Sequence, residues 1–255
     1  MKIISLQSGS NGNCIYVEAD GVRLLFDAGI SGIQAKERLA AHGVEIASID
    51  ALLISHDHRD HARCLGIYQR QFGLPVYITR KTLAAATAYT KLGKLTDVRE
   101  FQAGGAMLFG EVVVEAIPTP HDGADGVAFI VDDGQRRLGI MTDLGHVFDG
   151  LGSAVCSLDA VLLESNYDPA MLANGPYPDF LKERISGPGG HLSNLECAEL
   201  LEAAFDQRLR WACLGHLSEH NNTPELALRT HREVLGEGYS LQVASRYRVS
   251  QVMDV

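Results

Sequence analysis

Short apolar runs broken by turn-forming residues set the rhythm of this chain. Lys2 to Gln7 reads as a strand, followed by a loop of small residues, Ser8-Gly9-Ser10-Asn11-Gly12-Asn13. Cys14 to Ala19 and Val22 to Phe26 are two more strands, joined at Asp20-Gly21, a dipeptide suited to a tight hairpin. Gln34 to His42 has helical spacing, with Ala35, Leu39 and Ala40 apolar. Ala51 to Ile54 is a strand, Ala62 to Phe72 a helix, Pro75 to Ile78 a short strand and Lys81 to Leu92 a helix. The second half keeps the alternation. Val112 to Ile117 is a strand, and Val127 to Val131 and Arg137 to Met141 form a hairpin across Asp133-Gly134. Ala160 to Leu163 and Arg210 to Leu214 are strands. Asn194 to Phe205 is an amphipathic helix with Ser193 or Asn194 as cap, and Thr223-Pro224 starts a last helix. Leu241 to Val252 supplies one or two closing strands, and Pro169 to Gly190 is the least regular stretch, a lid or a surface loop. Strands alternating with helices make this an α/β chain. With no low-complexity segment or linker, residues 1–255 are expected to form one domain.

Polar residues with ligand chemistry recur where strands end. After Ala51-Leu52-Leu53-Ile54-Ser55 comes His56-Asp57-His58-Arg59-Asp60-His61, three imidazoles and two carboxylates in six residues. A buried strand delivers such a cluster to the loop at its end. His56 and His58 are two apart and share a side in extended backbone, whereas Asp60 and His61 follow the start of a turn and can address a second centre. Nitrogen and carboxylate oxygen without thiolate suit zinc, manganese or iron. His121, Asp143 and His216 follow later strands in the same way, and the set holds enough ligands for two ions.

Composition narrows the class. Hydrophobic residues make up 46% of the chain and charged ones 21%, as in soluble globular proteins. Apolar runs are strand-sized, so no membrane span is expected. Met1 to Ser5 lacks the long apolar region of a signal peptide. The five cysteines are scattered and form no Cys-x-x-Cys, which fits buried thiols in a reducing cytoplasm. A formal net charge of −10 argues against a passive basic surface for nucleic acid.

The motif His56-x-His58-x-Asp60-His61 resembles that of the metallo-β-lactamase-fold hydrolases, and the resemblance runs nearly end to end. More closely, the chain resembles the YycJ/WalJ-type exonuclease family through Ser8-Gly9-Ser10-Asn11-Gly12-Asn13-Cys14, Thr142-Asp143-Leu144-Gly145, Glu164-Ser165-Asn166-Tyr167-Asp168, Gly190-His191-Leu192-Ser193-Asn194 and His216-Leu217-Ser218-Glu219-His220-Asn221-Asn222. At Tyr167 the family pattern has histidine. The resemblance implies a four-layer αββα sandwich with a dinuclear centre of Zn2+ or Mn2+. One ion would take His56, His58 and His121, the other Asp60, His61 and His216, with Asp143 bridging. A hydroxide acidified by both ions would attack phosphorus, Asp60 would also orient it, and His191 would protonate the leaving group or steady the phosphate. Asp27 is expected to brace the metal loop. His220 competes with His216 as a ligand.

The implied activity is a metal-dependent phosphodiesterase or nuclease, a 5′-to-3′ exonuclease with DNA favoured over RNA as its partner. The alternative is hydrolysis of a lactone, thioester or cyclic phosphodiester, since one metal centre serves several reactions. A non-catalytic metal-binding module is the third class. The span from Asp143 to His216 leaves no room for the inserted domain of β-CASP nucleases. Arg59, Arg63, Arg136, Arg137, Lys182 and Arg184 are the basic side chains available to line a groove.

Overall fold

Residues 1–255 are described by a computed structural model. The first half contributes β1 (Lys2–Gln7), β2 (Cys14–Ala19), β3 (Val22–Phe26), α1 (Gly32–Ala40), β4 (Ala51–Leu53), α2 (Arg59–Ala62), α3 (Leu65–Phe72), β5 (Val76–Thr79), α4 (Arg80–Tyr89) and β6 (Val98–Phe101). The second contributes β7 (Ala106–Phe109), β8 (Val112–Pro118), β9 (Val127–Asp132), β10 (Arg137–Met141), α5 (Leu151–Cys156), β11 (Ala160–Glu164), α6 (Pro169–Asn174), α7 (Asp179–Ser186), α8 (Asn194–Phe205), β12 (Trp211–Gly215), α9 (Pro224–Leu235), β13 (Leu241–Val243) and β14 (Met253–Asp254). They form two seven-stranded sheets, ordered β14-β1-β2-β3-β4-β5-β6 and β13-β12-β11-β10-β9-β8-β7.

Strand alternation decides the layers. Ile3, Leu24 and Leu53 point into the space between the sheets, where they meet Val114, Phe129 and Leu162. Phe26 and Phe129 pack across that space with ring centroids 5.1 Å apart. Their neighbours Ile4, Leu25 and Leu52 face outward onto Leu39, Leu65 and Ala86 of α1, α3 and α4. On the other sheet, Val161 and Leu163 face Val155, Leu201 and Ala227 of α5, α8 and α9. The result is the expected αββα sandwich.

Strand direction places the site. β3, β4 and β5 are parallel, as are β10, β11 and β12. β8 runs antiparallel to β9, and β9 antiparallel to β10, so β8 shares the direction of β10. The carboxyl ends of these strands gather at one end of the sandwich. There the Val127 amide donates to the Ser55 carbonyl at 3.1 Å, and the His216 amide to Ser8 Oγ at 2.9 Å, tying the sheets together.

Several expectations need correcting. Pro169–Gly190 is not an irregular loop but carries α6 and α7. The expected helix from Ala62 is two helices, α2 and α3, separated at Cys64. The closing segment is two short strands, the second beyond Val252. β6, β7 and α5 have no counterpart among the elements that the apolar pattern predicts.

Candidate metal centre

Each arm of the site begins where a strand stops. β4 ends at Leu53, and the chain continues through Ser55 and His56 before α2 turns Asp60 and His61 back toward the centre. Gly29 lets this loop seat closely, because a Cβ there would lie 1.6 Å from the Asp60 carbonyl oxygen. Asp27, Asp143 and His216, just past the ends of β3, β10 and β12, all adopt left-handed backbone, with φ of 64°, 58° and 54°. Such strain in residues other than glycine concentrates at functional sites.

The fold brings all seven expected ligands together. Donor atoms of His56, His58 and His121 lie within 4.8 Å of one another, as do those of Asp60, His61 and His216. Asp143 stands between the two triads. Its Oδ2 is 3.1 Å from His61 Nε2, and its Oδ1 is 3.6 Å from His121 Nε2 and 3.5 Å from His216 Nδ1.

Outer partners fix the rings. Asp27 Oδ2 takes His61 Nδ1 at 2.7 Å and also binds the Ser55 hydroxyl, so it braces the loop as expected and turns His61 Nε2 inward. The carbonyl of Gly190 accepts from His121 Nδ1 at 2.7 Å, leaving Nε2 for the centre. Asn166 Nδ2 donates to the His216 carbonyl at 2.8 Å, holding that residue in its left-handed turn.

Glu164, quoted above only as part of a motif, is the residue missed. It is fully buried at the end of β11 and accepts from the amides of Leu144 at 3.0 Å and Leu192 at 3.2 Å. Its Oε1 binds His191 Nδ1 at 2.7 Å and approaches His216 Nδ1 at 3.3 Å. His191 is thereby oriented with Nδ1 engaged, 3.6 Å from Asp143 Oδ1.

Electrostatics show what this centre lacks. Burial favours the neutral form of His216, but Asp143, Asp60 and Glu164 outweigh it and raise the imidazole to about 10. Burial raises Glu164, yet His191 and His216 bring it down to about 2. Asp143 is likewise held well below the usual carboxylate range, against burial, by His216 and His61. His56 goes the other way: burial first, then the neighbouring His61, hold it well below its ordinary value. Asp143 and Glu164 draw protons onto the nearby imidazoles, with no lysine or arginine in contact with either, and a divalent cation would supply the missing positive charge. His56 Nε2 is buried with no hydrogen-bond partner, and Asp143 Oδ2 is buried with His61 Nε2 3.1 Å away but no well-aligned hydrogen bond. Two such acceptors amid nitrogen and carboxylate donors fit a divalent metal.

Other candidates fall outside. His220 is exposed and packs edge-on against Tyr177 at 5.6 Å, so it does not compete with His216. Tyr167 is buried in a bridge to Ser193 rather than among the ligands. The six basic side chains share no face. Arg136 binds Asp159, and Arg137 binds Asp132 and Glu115, all at the far end of the sheet, and Lys182 donates to the Ala173 carbonyl. Arg59 is exposed, Arg63 donates to the Asn11 carbonyl, and Arg184 binds Asp122 beside the ligands.

Comparison with known proteins agrees with this geometry. The model of the metallo-β-lactamase superfamily matches residues 8–216. The chain is 36% identical over 229 residues to exodeoxyribonuclease WalJ of Streptococcus pneumoniae, covering 88% of this chain and 84% of that protein. It is 33% identical over 234 residues to exodeoxyribonuclease YycJ of Bacillus anthracis, covering 91% and 88%. Among solved structures, the metallo-β-lactamase-fold protein YhfI of Bacillus subtilis superposes with a TM-score of 0.74 over 98% of both chains at 18% identity, a likeness of fold. The chain belongs to the metallo-β-lactamase superfamily and, within it, to the YycJ/WalJ-type family.

Proposed function

We propose that this metal-dependent hydrolase is a two-metal nuclease that removes nucleotides from the 5′ end of DNA, with residues 1–255 acting as one domain. The carrying observation is the pair of donor triads flanking one buried carboxylate, Asp143. His56, His58 and His121 would hold one Zn2+ or Mn2+, and Asp60, His61 and His216 the other, with Asp143 shared. When bound, the ions supply an acidified water and neutralise charge on the phosphate. Asp60, whose Oδ2 lies 3.4 Å from His216 Nε2 and 3.5 Å from His61 Nε2, adds a carboxylate able to orient that water. His191, with Nδ1 on Glu164, presents Nε2 as the acid for the departing oxygen. DNA as substrate is supported by the names of the two bacterial relatives. Five free cysteines support a reducing cytoplasmic location, and no helix is long and apolar enough to cross a membrane.

A second reading, hydrolysis of a small ester or cyclic phosphodiester, is favoured by the net charge of −10 and the scattered basic side chains. Metal-loaded protein incubated with end-labelled DNA and RNA, single- and double-stranded, beside His58→Ala separates the two. Stepwise loss from the 5′ end of DNA, absent in the variant, is expected. Turnover of only a lactone or small phosphodiester would replace the nuclease reading with the second.

A further inference from the structure

One cation stands beside the centre without belonging to it. Arg184, near the end of α7, places Nε 2.6 Å from Asp122 Oδ2 and Nη2 3.1 Å from Asp122 Oδ1. Asp122 Oδ1 in turn lies 3.3 Å from His58 Nε2 and 3.6 Å from His121 Nε2. The guanidinium is therefore one carboxylate's width from two of the proposed ligands. It remains 55% exposed. The contacts with Asp122 engage two of its five N–H donors, and the others are free to bind.

Its surroundings distinguish it from the other arginines. Arg137 is consumed by two acids and Arg208 by Asp159, both far from the centre. α7 buries none of its residues fully. Phe180 lies one turn before Arg184 on the same helical face and is 71% exposed. A planar cation and an aromatic ring on one exposed stripe match a nucleotide strand, which offers a phosphate for the first and a base for the second. Lys182, on the opposite side of α7, is turned away to the Ala173 carbonyl.

We propose that Arg184 binds the backbone phosphate next to the scissile one, with Asp122 holding the guanidinium in place and Phe180 receiving the adjoining base. The Asp122 carboxylate stands between the guanidinium and His58, which directs the free N–H donors away from the ligands and toward a phosphate beside the centre. This rests on the nuclease reading and names the side chains that would set its substrate.

The test measures binding of a cleavage-resistant, fluorescent single-stranded oligonucleotide to holoenzyme by anisotropy across a salt series. Arg184→Ala should weaken binding about tenfold. It should also lower the slope of log affinity against log salt by roughly 0.7, the loss of one phosphate contact on a single strand. Arg184→Lys should restore the slope but only part of the affinity, since an ammonium is a point charge. Phe180→Ala should weaken binding severalfold with the slope unchanged. In turnover, Arg184→Ala should raise KM for the cleavable oligonucleotide of the same sequence far more than it lowers kcat on bis(p-nitrophenyl) phosphate. An unchanged slope, or equal losses on both substrates, would overturn the proposal while leaving the nuclease reading intact. Wild-type protein that neither binds the resistant oligonucleotide nor cuts its cleavable counterpart would overturn both.

Discussion

The two ends of the sandwich hold the same kind of carboxylate in opposite ways. Where β10 and β11 begin, Asp159 meets Arg136 at 3.4 Å, Arg208 at 2.6 Å and the Arg137 amide at 2.8 Å. Where those strands end, Asp143 and Glu164 are met by imidazoles. Guanidinium never gives up its charge, so the far end is electrostatically closed. Imidazole exchanges its proton for a metal ion at neutral pH, so the near end is open to one. One fold thus spends arginine where charge must be balanced for stability and histidine where it must be exchanged.

The most severe way to break the near end is Asp143→Asn, which keeps the shape and removes the charge both triads share. Activity on nucleic acid should fall to background and elemental analysis should find fewer than two ions per chain, with secondary structure intact by circular dichroism. A variant that keeps both ions and its turnover would refute the shared carboxylate. Next is His191→Ala, expected to lower kcat on an oligonucleotide by about 10²- to 10⁴-fold, the range for a general acid. The loss should be much smaller on bis(p-nitrophenyl) phosphate, whose nitrophenolate departs without a proton, and equal losses would remove the acid role. Asp27→Asn acts one step further out, through His61 Nδ1. It should weaken metal binding by about 10- to 100-fold in competition with a chromogenic chelator, as lost outer partners do. Affinity equal to wild type would mean Asp27 merely fills space.

The near end was largely legible because its chemistry is local or repeats at strand ends. His56 to His61 are contiguous, and His121, Asp143 and His216 each follow an apolar run. Glu164 was not legible as a functional residue. It closes the run Ala160-Val161-Leu162-Leu163, and its partners come from positions 144, 191, 192 and 216, which only the folded chain brings to it. α7 reads as loop because its helical apolar spacing is a single pair, Leu181 and Ile185, in a stretch flanked by glycine and proline. β6, Val98-Arg99-Glu100-Phe101, is an edge strand with two exposed charged residues and reads as loop. Strand direction also sorts the basic side chains: β10 ends beside Asp143, so Arg136 and Arg137 at its start lie a strand's length from the site.

The far end and the middle sharpen the contrast by what they should leave untouched. Asp159→Ala removes an acceptor shared by two arginines and an amide, and should cost about 2 kcal/mol in urea unfolding, the scale of hydrogen bonds to a charged group. Metal content and kcat should stay at wild-type values, and a change in either would mean the ends are coupled. The smallest effect is expected at Cys213, which lies in the apolar layer between the sheets, on β12, three residues before His216. Burial pushes its thiol up from 9.0 to about 12. A thiol whose folded value is raised contributes its full stability below pH 9, and that contribution is lost as pH rises toward 12. At pH 10 the unfolded chain gains about 1.4 kcal/mol from ionising this one group, while the folded chain gains almost nothing. Metal-stripped wild type should therefore lose about 1.4 kcal/mol more between pH 7.5 and pH 10 than Cys213→Ala does. Equal losses would mean that water reaches the thiol, and that the dry layer separating a closed end from an open one is not dry at β12.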